Sequence, residues 1–123
     1  MTRPAAISPA IRRALAHIEA CCADSLPLAA LAAMCGLSLD RFSVLFRREV
    51  GVPPHRYLCQ VRIRRAQALL SQGVRPAEAA LEAGFFDQSH LYRHFKRQVG
   101  VTPGEFMIAA ARSAGGPAHH VVD

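Results

Sequence analysis

Three groups of side chains in this sequence have types and spacings that could carry chemistry: a carboxylate beside two histidines, four thiols, and a run of planar or hydroxylated groups. Asp87, His90 and His94 are close in sequence, but acid–base work needs a proton-transfer geometry that spacing alone does not supply. They read instead as a helix cap followed by two helix-surface histidines. Cys21, Cys22, Cys35 and Cys59 form no C-x-x-C pair and no zinc-type spacing with histidine. They read as reduced structural thiols that pack like small hydrophobes. His119-His120 offers two ligands where zinc needs more, so neither a metal nor a cofactor is expected. The run Gln88-Ser-His-Leu-Tyr-Arg93 is different. Glutamine and arginine can each make paired hydrogen bonds, which suit the edges of adenine and guanine respectively. Ser89 and Tyr92 can add a hydrogen bond or touch a thymine methyl group.

The elements that must position these groups follow from composition and punctuation. A chain of 123 residues, 51% of them apolar, fits one compact domain or two very small ones sharing a core. The formal net charge is +6, and fourteen of the 15 basic residues are arginine, with Lys96 the single lysine. Arginine is the side chain suited to bidentate phosphate and guanine contacts. The sequence has no run of 18 apolar residues that would span a membrane, and Met1-Thr2-Arg3-Pro4 lacks the features of a secretory signal, so a cytoplasmic location is expected. Ser8-Pro9 opens a first helix to about Cys22, and a second runs from Leu28 to Cys35, stopped by Gly36. Ser38 caps a third, Leu39 to Val50; Pro53-Pro54 opens a long fourth to about Ser71. A fifth spans Pro76 to Ala83, Asp87 caps a sixth from Gln88 to Val99, and Thr102-Pro103 starts a seventh that fades near Ala111. No stretch alternates as a strand, and the fold is expected to be all-α.

One unit occurs twice. Leu28-Ala-Ala-Leu-Ala-Ala-Met-Cys-Gly36 aligns with Pro76-Ala-Glu-Ala-Ala-Leu-Glu-Ala-Gly84 at an offset of 48. Beyond the glycine the offset becomes 49: Ser38 falls on Asp87, Phe42 on Leu91, Phe46 on Phe95, and Arg47-Arg48 on Lys96-Arg97. Val50-Gly51-Val52 then matches Val99-Gly100-Val101, and Tyr57 matches Phe106. In each copy, Ala32 to Gly36 and Ala80 to Gly84, alanine allows a close helix crossing and glycine accepts the sharp corner. If Phe42, Leu45 and Phe46, and in copy two Leu91 and Phe95, face inward, helical spacing turns Leu39, Asp40, Ser43 and Val44 outward in one copy. In the other it turns out Gln88, Ser89, Tyr92 and Arg93, the groups a recognition helix presents to a major groove. The fourth helix, roughly 27 Å at 1.5 Å per residue, suits the ~34 Å turn of a duplex as a spacer. The expected divisions are an extension over 1–8, a first helix-turn-helix unit over 9–52, a linker helix over 53–72, a second unit over 73–111 and a flexible tail over 112–123.

The stretch Gly84-Phe-Phe-Asp-Gln-Ser-His-Leu-Tyr-Arg-His-Phe-Lys-Arg-Gln-Val-Gly-Val-Thr-Pro103 resembles the signature of the AraC/XylS family of transcription regulators, and Gly51-Val-Pro-Pro-His-Arg-Tyr-Leu with Arg62-Ile-Arg-Arg-Ala-Gln-Ala-Leu-Leu70 is similar to the family pattern in the first copy. The resemblance implies sequence-specific double-stranded DNA binding through two recognition helices, 39–50 and 88–99, in successive major-groove segments. It implies base reading by Gln88, Ser89, Tyr92 and Arg93, and by Asp40, Ser43 and Val44. Arg41, Arg47, Lys96 and Arg97 are assigned to phosphates. It also implies a separate ligand-sensing or dimerisation domain, expected outside this chain. Val44 stands where many members have a base-contacting arginine, Pro27 where many have a serine or threonine cap, and Asp40 would repel phosphate while able to accept from cytosine. A module that recruits RNA polymerase without reading DNA is the alternative. An enzyme is not expected, since the repair chemistry fused to some relatives needs a cysteine cluster that is absent here.

Overall fold

Prolines open four of the helices, and glycines follow the ends of several, in the computed structural model, which describes residues 6–120 and the side chains of 6–113. Among the described residues the elements are α1 (Pro9–Cys21), α2 (Leu28–Met34), α3 (Leu39–Val50), α4 (Pro54–Ser71), α5 (Pro76–Ala83), α6 (Gln88–Val99) and α7 (Pro103–His120), with no strand. They divide into two units, Met1–Val61 and Arg62–Asp123. The expected all-α class therefore holds, and α3, α5 and α6 begin and end at the expected residues.

The helix ends show why. Ser8 Oγ accepts from the Ile11 amide at 3.4 Å, Ser38 Oγ from Arg41 at 3.2 Å and Asp87 Oδ1 from His90 at 2.8 Å. Each satisfies an amide that the first helical turn would leave without a partner. Pro27, at the start of α2, has no side-chain cap to offer, and none is made. At the far end, Gly51 and Gly100 take φ of 100° and 94° while their amides donate to the carbonyls of Arg47 and Lys96. No neighbouring atom would meet a Cβ at either position, so the left-handed backbone alone demands glycine.

In the first unit, Ile11, Ala14 and Ile18 of α1 meet Leu31 and Ala32 of α2, Phe42 and Phe46 of α3, and Leu58 and Val61 from the first half of α4. Phe46 packs edge-on against Tyr57 at 5.8 Å, and the Tyr57 hydroxyl donates to Glu19 Oε2 at 2.5 Å. A second tie was not legible in the sequence: Glu49 Oε1 accepts from both the amide and the hydroxyl of Ser8, at 2.8 and 3.0 Å, pinning the start of α1 to the end of α3. The second unit buries Ile63, Ala66 and Leu70 of α4, Ala79, Ala80 and Ala83 of α5, Phe85 from the corner, and Leu91 and Phe95 of α6. Phe95 meets Phe106 edge-on at 5.4 Å, repeating the Phe46–Tyr57 pair of the other copy.

One expectation changes. The seventh helix does not fade near Ala111, and the tail expected over 112–123 is helical as far as His120. Alanines at 109–111 and 114 favour the helix, whereas glycine weakens a helix without forbidding it, at roughly 1 kcal/mol each. Residues 1–5 and 121–123, including part of the expected N-terminal extension, lie outside the described residues, as do the His119 and His120 side chains. α7 starts with a reciprocal cap: the Thr102 amide donates to Glu105 Oε1 at 2.9 Å, and the Glu105 amide to Thr102 Oγ1 at 3.0 Å. Copy one has Pro53 and Arg56 at the matching positions and cannot make it.

Two stability outcomes follow from this packing. Phe46→Ala, at a position with no exposure, is expected to cost about 3–5 kcal/mol in urea unfolding, as large-to-small core changes do. The hydrogen bond from the Thr102 amide holds the Glu105 carboxyl below its ordinary pKa. The folded value lies below the unfolded one, so this stabilisation is present above the ordinary carboxylate range and is lost as pH falls through the folded value. The stability gap between wild type and Glu105→Gln should therefore shrink as unfolding is followed from neutrality to about pH 3.

Candidate nucleic-acid interface

Each unit turns one short helix and one longer one around the same corner. In copy one the Leu37 amide reaches back past Gly36 to the Ala32 carbonyl at 2.9 Å; in copy two the Phe85 amide reaches past Gly84 to Ala80 at 2.8 Å. These two bonds fix the correspondence of the corners and identify the extra residue of copy two as Phe86. Its amide donates to Nδ1 of His90 at 3.1 Å.

Burial then sets which side of α3 and α6 faces out. Phe42 and Phe46 are fully buried, as are Leu91 and Phe95. Asp40, Arg41, Val44 and Arg47 are exposed on α3, with Ser43 half-buried. Gln88, Ser89, Tyr92, Arg93, Lys96 and Arg97 are all exposed on α6. Val44 and Tyr92 keep 59% and 47% of their surface in solvent, which marks these faces as outward rather than core. Within each unit, the structure thus gathers the residues singled out from the sequence on one accessible helix. The stripe on α3 is broader than expected. Leu37 of the corner and Asp40, Arg41, Val44, Leu45 and Arg48 of α3 line a shallow depression along it, and the helical spacing of positions 41, 44 and 48 is the signal that adds Arg48.

The two faces differ in character. The α3 depression mixes apolar groups with one carboxylate and two guanidiniums, whereas the α6 face carries an amide, hydroxyls and cations. Arg47-Arg48 and Lys96-Arg97 occupy the last turn of their helices, where the negative end of the helix dipole favours cations. Of the α4 arginines, Arg65 donates from Nε to the Glu82 carbonyl at 3.0 Å and so ties α4 to α5.

The histidines take part in building the corner. His90 packs edge-on against Phe85 at 5.3 Å and against His94 at 4.7 Å, while His94 stacks on Phe85 at 6.0 Å. Burial, then the charges of His90, Arg97 and Arg93, hold the His94 imidazole below its ordinary pKa. With Nδ1 of His90 occupied as an acceptor, the cap-and-histidine reading of Asp87, His90 and His94 fits the geometry. None of the four cysteines is in a disulfide; Cys35 donates to the Ala10 carbonyl at 3.2 Å, and burial pushes its pKa up. Among the described residues, no group of three or more His, Cys, Asp or Glu side chains is placed to hold a metal, and no single helix is long and apolar enough to cross a membrane.

Known proteins share this arrangement. A profile described as a helix-turn-helix domain matches residues 31–108. An uncharacterised HTH-type transcriptional regulator of Bacillus subtilis, YbfI, is 39% identical over 69 residues, covering 56% of this chain and 25% of the relative. The chain spans roughly a quarter to two fifths of the lengths of such curated relatives. Among solved structures, the DNA-binding domain of the global transcriptional factor AdpA, in complex with a target DNA, is 28% identical with a TM-score of 0.80, covering 85% of this chain and 95% of that one. A transcriptional regulator of Chromobacterium violaceum, described as of the AraC-type DNA-binding kind, is 26% identical with a TM-score of 0.78, over 85% of this chain and 94% of that one. The corner, the outward faces and these likenesses agree that this chain belongs to the AraC/XylS family of helix-turn-helix transcription regulators.

Proposed function

We propose that this chain binds double-stranded DNA sequence-specifically for transcription regulation, with α3 and α6 each reading one of two successive major-groove segments. The observation that carries this reading is the duplication itself: two corners of the same build, each presenting an exposed, hydrogen-bonding or cationic face on its second helix. A solvated helix face needs no such repetition. The likeness to AdpA, whose DNA-binding domain is solved on a target DNA, supports it.

The roles divide by chemistry. Gln88 and Arg93 read base edges, with Ser89 and Tyr92 beside them; Asp40, Ser43 and Val44 form the poorer reading face of copy one. Arg41, Arg47, Lys96 and Arg97 hold phosphates, which set register without carrying sequence. Copy one offers no bidentate donor among its base-facing residues, so preference concentrates under copy two.

A random-library selection followed by a base-by-base substitution scan tests this. Arg93→Ala is expected to relax preference at one base pair of the copy-two half-site, at about 1–3 kcal/mol. Val44→Ala should change little; a Val44→Ala loss as large as that of Arg93→Ala, or equal information in both half-sites, would overturn the assignment. Salt titration gives a separate check. Log affinity should fall linearly with log salt, and Arg47→Ala should weaken all sequences alike and lower the slope by about one. Affinity that stays flat from low to physiological salt would overturn the phosphate assignments.

A further inference from the structure

The two corners differ in length by one residue, and that residue is Phe86. An added apolar side chain is expected to tuck inward, as Phe85 does at 3% exposure. Phe86 does the reverse. At 84% exposure it is the most exposed large apolar side chain among the described residues. Its backbone is well anchored, because the amide donates to His90 Nδ1 and the next residue, Asp87, caps α6 through the His90 amide. The His90 ring is in turn braced by Phe85 and His94. The corner therefore holds an aromatic ring out in water immediately ahead of the recognition helix, where it contributes nothing to the core.

We infer that Phe86 is a base-reading residue whose ring packs against the C5-methyl group of a thymine at the edge of the copy-two half-site. This rests on the DNA-binding reading above. Residues at the N-terminal end of a recognition helix are the ones that reach base edges, and Phe86 lies two positions ahead of Gln88. The thymine methyl is the apolar group that base pairs present in the major groove. A ring with neither donor nor acceptor gains nothing comparable from phosphate or from the polar edges of the other bases. The adjoining helix carries Arg93, Lys96 and Arg97 on exposed positions, a setting that suits a polyanion rather than an apolar protein surface. Copy one has no residue at the matching position, so this contact belongs to copy two alone.

The test uses the whole chain and the duplex recovered by selection, with each thymine of the copy-two half-site replaced singly by deoxyuridine, which lacks only the methyl group. At one position wild type is expected to lose about fourfold in affinity, the value of removing one buried methyl-sized group from contact. Phe86→Ala should lose at least that factor on the thymine duplex and show no further loss on the deoxyuridine duplex. Phe86→Leu, still apolar, should keep part of the discrimination. Because the side chain is so exposed, both variants should unfold thermally at the wild-type midpoint. Phe86→Ala binding as tightly as wild type would overturn the assignment. So would a variant that weakens on every duplex yet still distinguishes each thymine from deoxyuridine, or a lowered unfolding midpoint shared by both variants. Wild type that fails to prefer the selected duplex over random competitor would overturn the DNA-binding reading itself, and that shows before any deoxyuridine is introduced.

Discussion

The rotation of each second helix about its own axis is set by two buried side chains a turn apart, Phe42 with Phe46 and Leu91 with Phe95. A helix has one inward direction, so fixing it fixes the outward one. The alanines of the preceding helix and the glycine corner allow the two axes to approach closely enough for those side chains to fill the space. Everything presented on the surface of α3 or α6 depends on this packing. A surface substitution changes what the face presents, whereas a change at Phe46 or Phe95 alters the direction in which the whole face points.

Much of this was legible in the sequence because it is written in local rules. Ser38 and Asp87 announce their helices as caps, and Gly51 and Gly100 announce the ends, so the boundaries of α3 and α6 follow from chemistry within a few residues. The outward faces then follow from helical period. What escaped depends on long-range contact or on rotamer choice. Glu49 meeting Ser8 joins residues 41 apart, and nothing local marks it. Arg65 is one arginine among several on α4, and only the position of Glu82 distinguishes it. The end of α7 was misplaced for a different reason: composition treats glycine as a stop, although its cost is a modest weakening that neighbouring alanines offset.

The corners show how a duplicated unit diverges without losing its frame. The bond from the residue after glycine back to alanine is kept in both, and so is the aromatic pair that links α3 to Tyr57 and α6 to Phe106. The added residue of copy two leaves one more amide to satisfy, and a histidine from the following helix supplies the acceptor. An insertion in a tight corner is tolerable when the backbone group it introduces finds a partner nearby.

Fourteen of the 15 basic residues are arginine, and the single lysine side chain, Lys96, is exposed in the last turn of α6 beside Arg93 and Arg97. Reagents and enzymes that act on side-chain amines therefore meet this chain at one point, on the exposed cationic face of α6. Acylating that amine would remove a positive charge where the helix end favours one. Tethering the chain to a surface through the same amine would cover the face proposed to meet DNA, so any solid-phase handle belongs on another side chain.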